Sequence, residues 1–240
     1  MDHRTATQPA ETLTTSVIVI ARNAERHIAE ALGSIAASTL RPDEVVVVDG
    51  DSTDATREIA ARFDFVRIVR QQSKGISHAY NEGIASTTGT LIAFLSADDR
   101  WMPDKHERQV AAFRGDPTLD MVACHVQHVL EPGCEIPPGF RASLLDAPVP
   151  AFIMETVLIR REAFSRVGVF DPALGVSGDT DWFARARDAG LHSSVLPETL
   201  VWKRVHDRNS SLNESDINTL LLRAMRGSLA RKRTAIPGSE

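Results

Sequence analysis

The stretch Glu44–Phe63, EVVVVDGDSTDATREIAARF, carries the fold in miniature. Its consecutive valines, Val45 to Val48, suit a strand buried on both faces, because β-branched side chains pack well on a pleated surface and no polar residue marks a solvent side. Asp49-Gly50-Asp51-Ser52 then reads as a polar turn, with Ser52 or Thr53 as the expected N-cap, and Ala55, Ile59 and Phe63 recur at helical spacing. The unit is strand, turn, helix. It also stands before and after this stretch. Ser16–Ile20 is a strand followed by Ile28, Ala31, Leu32 and Ile35 on one helical face; Val66–Val69 is a strand followed by a helix over 76–85; Leu91–Leu95 is a fourth strand. Strands alternating with helices at this spacing imply an α/β protein with a Rossmann-like, mostly parallel sheet and helices on both faces.

Further along, ETVLIRREAFSRVGVFDPAL reads as a strand and a short helix ending near Gly168, and SGDTDWFARARDAG as a helix with Trp182, Phe183 and Ala186 inward and Gly190 closing it. Between them and the first half, Leu130–Ala151 is Pro-rich and aperiodic, which suits a long active-site loop within one domain. A terminal helix is expected over about Asp216 to Lys232, ending in Arg231-Lys232-Arg233; it can reach an anionic membrane weakly, although a solvated helix end explains the same charges.

Composition narrows the partners. The 240 residues carry a formal net charge of -5, which gives no bulk electrostatic drive toward nucleic acid, so a small-molecule ligand is expected. The polar first 15 residues lack a secretory pattern, and no apolar run approaches the roughly 20 residues a bilayer requires. A cytoplasmic location follows as the expectation. Cys124 and Cys134 fit neither a disulfide framework nor a zinc site and read as incidental thiols.

In sheets of this kind ligands bind beyond the carboxyl ends of the strands, and each polar cluster lies there: Arg22 to Glu25, Asp49 to Ser52, Ser96 to Asp99. Asp98 and Asp99 are adjacent acids at the mouth of an apolar strand, where two like charges repel by about 4 kcal/mol at near-surface dielectric. A divalent cation would cancel that repulsion, and capping of the helix starting near Pro103-Asp104 is the plainer alternative. Asp49 suits a hydrogen bond to a base or ribose, or an Asx-turn. Asp179 and Asp181 open a helix and read either as caps or as acids available for chemistry. Trp182 is expected in the core; Trp101 and Trp202 lie beside site candidates.

Ser16–Ala60, SVIVIARNAERHIAEALGSIAASTLRPDEVVVVDGDSTDATREIA, and Lys74–Gln109, KGISHAYNEGIASTTGTLIAFLSADDRWMPDKHERQ, resemble family 2 of the glycosyltransferases, enzymes of the GT-A nucleotide-sugar fold. The likeness resumes at RREAFSRVGVFDPALGVSGDTDWFARARDAGL and finishes with RVHDRNSS. It implies a polar tail over 1–15, one GT-A domain over 16–212 with a nucleotide-binding part (16–115) and an acceptor and catalytic part (116–212), and a C-terminal helix and tail over 213–240. By the resemblance Asp49 recognises the base, and Ala21, Arg22 and Glu25 pack against base and ribose. Lys74, Gly75 and Asn81 approach ribose and diphosphate. Ala97 and Asp98 bind the nucleotide-sugar, and Asp98 and Asp99 fall on the DxD-type metal motif as ligands of Mn²⁺ or Mg²⁺. Asp179, or else Asp181, is the general base of an inverting transfer, and Arg204 and His206, with Lys203 nearby, close over the diphosphate. Ser96 and Gly178 stand where the family usually has acids. The implied donor is a nucleotide-diphosphate sugar and the acceptor a glycan, a lipid-linked precursor or a peptide. A non-catalytic sugar-nucleotide-binding scaffold and a nucleotidyltransferase on a similar sheet are the alternatives.

Overall fold

The computed structural model describes residues 12–207, Asn209 and Gly227. Its nine-stranded sheet runs in the order β3-β2-β1-β4-β8-β6-β9-β5, with β7 paired to β6. The first half is the parallel one: β1 (Thr15–Ala21), β2 (Glu44–Asp49), β3 (Val66–Arg70) and β4 (Leu91–Ser96) pair side by side. The second half is mixed. β8 (Leu158–Arg160) joins β4 and β6 (Met121–Leu130) in antiparallel sense, β9 (Ser193–Val205) lies parallel to β6, and β5 (Arg100–Trp101) pairs back onto β9.

Alternation along the buried strands sorts side chains into two cores. Val17, Val19, Val45, Val47, Leu91, Ala93 and Leu95 face α1 (Ile28–Ala36) and α4 (Lys105–Gly115); Ile18, Val46, Val48, Ile92 and Phe94 face α3 (Ile76–Ala85), α5 (Arg161–Val167) and α6 (Gly178–Asp188). Both faces are therefore covered, as the unbroken apolar runs require. α1 has no side-chain cap and only 9 residues. Such a helix is marginal alone, and it is held by burial of Ile28, Leu32 and Ile35, at about 1.5–3 kcal/mol for each side chain. On the other face Gly83 lets α3 approach the sheet closely: a Cβ there would be driven into Ile18 Cγ2.

Two expectations are revised. The helix after β2 starts later than Ser52 or Thr53: α2 spans Thr56–Ala60. Asp49 Oδ2 accepts the Ser52 N–H at 3.2 Å, so the turn runs on, while Ser52 Oγ accepts the Asn23 N–H at 2.9 Å instead of capping. Leu130–Ala151 is not purely loop, since a 3-10 turn at Ala142–Leu145 and the short β7 (Val149–Ala151) fold it back onto β6. β6 and β9 have no counterpart in the sequence reading. The expected helix over Asp216 to Lys232 lies outside the described residues.

Candidate active site

Register brings the strand ends together. Ala21 lies beside Asp49 and Ile20 beside Ser96, so the loops after β1, β2 and β4 open on one edge. Beyond them β5 pairs with β9, Arg100 opposite Trp202, which carries Lys203 and Arg204 across the loop after β4.

At the first two strand ends Asp49 is fully buried. Its Oδ2 accepts the Ser52 N–H and lies 3.7 Å from Arg57 Nε, while its Oδ1 has no hydrogen-bond partner among the described residues. A buried acceptor without a donor costs about 1–3 kcal/mol. One oxygen thus makes the turn of the sequence reading, and the other stays without a donor among the described residues. Arg22 is exposed beside Gly50, whose added Cβ would come within 3.2 Å of Arg22 Cβ. The Ala21 carbonyl accepts the Gly50 N–H at 2.7 Å, so its backbone fixes the loop. Glu25 Oε2 accepts the Ala55 N–H at 3.0 Å, so its carboxylate caps α2. Lys74 and Gly75 are exposed at the start of α3, and Gly75 takes φ 112°, a conformation open to glycine. Asn81 has a structural bond: its amide nitrogen donates to the Phe170 carbonyl at 2.9 Å and its oxygen accepts the Phe170 N–H at 3.0 Å, which ties α3 to the segment before α6.

The acids after β4 separate sharply. Asp99 is buried, with Lys203 Nζ donating to Oδ2 at 2.8 Å and the Arg204 N–H to Oδ1 at 2.7 Å. Both oxygens of Asp99, expected as a metal ligand, are engaged by β9, and Lys203 brings a positive charge to the adjacent acids. Burial pushes Asp99 up to about 7 against the pull of Lys203, with Asp98 and Glu155 adding to the rise. Burial alone would lower the Lys203 ammonium, but Asp99, Glu155 and Asp98 outweigh it and hold the ammonium well above its usual range. Asp98 is half-buried, and its Oδ2 lies 3.1 Å from His206 Nε2 and 3.4 Å from Asn209 Nδ2. Burial opposes its ionisation, while the His206 bond and the Lys203 charge prevail and hold its carboxyl below the usual range. Ala97 is buried beneath, its N–H bonded to the Ile20 carbonyl at 3.1 Å. Arg204 clasps the same loop, Nε donating to the Asp98 carbonyl at 3.0 Å and its guanidinium pairing with Glu30.

One carboxylate was missed in the sequence. Glu155, in a 3-10 turn at Met154–Thr156, is buried; its Oε1 accepts from Ser96 Oγ at 2.6 Å and lies 3.3 Å from Lys203 Nζ. Position 96 thus lacks an acid of its own but holds one by hydrogen bond. The signal was a lone acid inside the apolar run AFIMETVLI, where a charge is not buried without partners. His128, opposite Lys203 on β6, is pushed down to about 4 by burial and then by the Lys203 charge, so it is neutral.

At the start of α6 the two aspartates also divide. Asp181 is buried and pairs with Arg185 Nε at 2.7 Å, and Arg185 donates onward to the carbonyls of Val167 and Val169. Through Arg185 it links α6 to the carbonyls of Val167 and Val169, a structural contact for a residue that the sequence offered as an alternative base. Asp179 accepts the Thr180 N–H at 2.6 Å and is pushed up to about 6, first by burial and then by the Glu155 charge. That is a carboxylate poised to accept a proton near neutrality. A Cβ at Gly178 would run into Ser77 Oγ of α3, so any larger residue there requires Ser77 to turn and give up its bond to the Gly175 carbonyl. Trp182 is in the core, Nε1 donating to the Gly168 carbonyl at 2.8 Å.

Among the described residues no three of His, Cys, Asp and Glu converge on a metal-sized centre. Asp98 and His206 nevertheless fit one: an ionised oxygen and an imidazole nitrogen lie side by side, and a hard divalent ion commonly takes its remaining ligands from phosphate and water.

A sequence model described as Glycosyl transferase family 2 matches residues 16–167. An uncharacterised glycosyltransferase of Nostoc sp. is 36% identical over 121 residues, spanning 48% of this chain and 36% of the relative. An uncharacterised glycosyltransferase of Rickettsia typhi is 27% identical over 215 residues, spanning 83% of this chain and 67% of that one. The chain thus aligns with 36% to 67% of the length of these curated relatives. Among solved structures, residues 1–349 of S. aureus TarS in complex with UDP-GlcNAc superpose with a TM-score of 0.72 at 20% identity, over 94% of this chain and 68% of that one. The fold is accordingly the GT-A fold, and the chain belongs to glycosyl transferase family 2.

Proposed function

We propose that this protein transfers a glycosyl group from a nucleotide-diphosphate sugar to an acceptor hydroxyl with inversion, Asp179 acting as general base. The observation that carries the reading is Asp179 itself: a half-buried carboxylate held up to about 6, at a helix start beside the strand ends where the donor would sit. The base takes the acceptor proton as the hydroxyl oxygen attacks the anomeric carbon and the diphosphate leaves from the opposite face. Asp49 Oδ1 receives an N–H of the base, and exposed Arg22 lies against its ring. Lys74 and the open backbone at Gly75 face the ribose and diphosphate. UDP is the first base to test, because the TarS structures include complexes with UDP-GlcNAc and with UDP.

Asp98 and His206 would hold a divalent cation, Mn²⁺ or Mg²⁺, which when bound supplies Lewis-acid charge for the departing diphosphate. Arg204, fixed by Glu30 and the Asp98 carbonyl, backs this loop. The acceptor is a glycan, a lipid-linked precursor or a peptide.

The test is release of UDP from UDP-sugars by the wild type and by Asp179→Asn, alongside calorimetric UDP affinity with Mn²⁺. Turnover lost by about 10²-fold or more with affinity retained supports the base. Donor binding without turnover in the wild type would instead favour a non-catalytic sugar-nucleotide-binding protein. Asp98→Ala should abolish the Mn²⁺ dependence of UDP binding, and an unchanged dependence would remove Asp98 as a ligand.

A further inference from the structure

Asp179 can act as base only if the acceptor hydroxyl comes within about 3 Å of it, so the acceptor must lie over the first turn of α6. Phe183 follows Asp179 by one helical turn, and residues so spaced are neighbours on a helix surface, roughly 5–6 Å apart at Cβ. Phe183 does not stand alone. Phe152 reaches it from the segment after β7, ring centroids 5.8 Å apart and planes at 66°. Phe152 is 43% exposed, and it is the aromatic member of the exposed large apolar side chains among the described residues; the others are Val129, Ile136, Val169 and Val195. The same segment runs on at once into Glu155, bonded to Ser96 and Lys203, so the pair stands on the rim of the acid cluster.

We infer that Phe152 and Phe183 form the acceptor subsite, a platform on which a glycosyl ring of the acceptor packs while Asp179 takes the proton of its hydroxyl. An aromatic face carries negative quadrupole charge and attracts the polarised C–H face of a sugar. The pair is backed by Trp182, edge-on to Phe183 at 5.6 Å, so the platform is held from below. Its border is polar, with exposed Thr180 and Arg187 on α6 beside Phe183, which suits a hydroxyl-bearing ligand better than an acyl or isoprenoid chain.

The inference rests on Asp179 as the base, and the two are tested separately. Saturation-transfer NMR on the full chain with UDP and Mn²⁺ would use methyl glycosides of glucose, galactose, mannose and N-acetylglucosamine, with farnesyl phosphate as the lipid probe. At least one glycoside should receive saturation at its ring C–H protons. Phe152→Ser, at an exposed position that leaves the core intact, should cut that signal about three- to tenfold, and Phe183→Tyr, which keeps the aromatic face, should retain it. The UDP signal should not change in either. No saturated glycoside, a signal indifferent to Phe152→Ser, or saturation of farnesyl phosphate alone would overturn the platform. Failure of the base shows elsewhere, as UDP release that survives Asp179→Asn.

Discussion

Asp179 is held where it costs stability. Its folded-state pKa of about 6 lies above the ordinary 3.8, so the fold binds its proton more tightly than the unfolded chain does. Stability from this group is present below the ordinary value and is lost as pH rises through about 6. Asp179→Asn should therefore stabilise the protein by about 1–3 kcal/mol at pH 7 and leave it nearly unchanged near pH 4, as read by urea unfolding at both values. A gain that is equal at both pH values would show that the carboxylate is not strained. Glu155 adds to the rise on Asp179. Glu155→Gln should shift the acid limb of the rate profile downward, while Lys203 loses one of its two carboxylate partners.

The elements most readable in the sequence are those buried on both faces. β1, β2 and β4 announce themselves by unbroken β-branched or apolar runs, and α3 falls on its expected residues. β9 was hidden for a physical reason. Its pairing with β6 skips from Leu196 to Thr199, leaving Pro197 and Glu198 bulged out, so it lacks both a clean period and an uninterrupted apolar run. Because β9 delivers Lys203 onto Asp99, missing it hid a positive charge that meets the adjacent acids. α4 carries a fully buried lysine, Lys105, bonded to Gln109 at 2.8 Å and lying 4.1 Å over the Trp101 ring. Burial lowers it to about 8, so the charged form costs stability below that value and the cost fades as pH rises toward 10.5. Lys105→Met should raise stability at pH 7 by about 1–3 kcal/mol, less whatever the Trp101 contact contributes, and the gain should shrink by pH 10. On the opposite face Gly83→Ala should cost about 1–3 kcal/mol by forcing α3 off Ile18. An unchanged unfolding midpoint would show that the sheet yields there.

In the molecule as a whole, the position of the site was legible and its internal roles were not. The strand-end rule located Asp49, Asp98 and Asp99 together, and the helix start located Asp179 and Asp181. Sequence spacing cannot say which carboxylate meets a lysine from a strand about a hundred residues away, as Asp99 meets Lys203 across 104 positions. Nor could it give Glu155, a lone acid in an apolar run, its partners, which come from β4 and β9. No helix among the described residues is long and apolar enough to cross a membrane. The assembled site places one carboxylate with a raised pKa at α6 and one with a lowered pKa beside His206, a division of labour that suits proton acceptance at one end and cation or diphosphate binding at the other. The pH dependence of kcat/KM for UDP-sugar turnover tests this division most directly. The account requires the rate to rise through an acid limb near pH 6 and then level off, with that limb absent from the residual rate of Asp179→Asn. A profile flat from pH 5 to 8, or a limb that persists in Asp179→Asn, would contradict it.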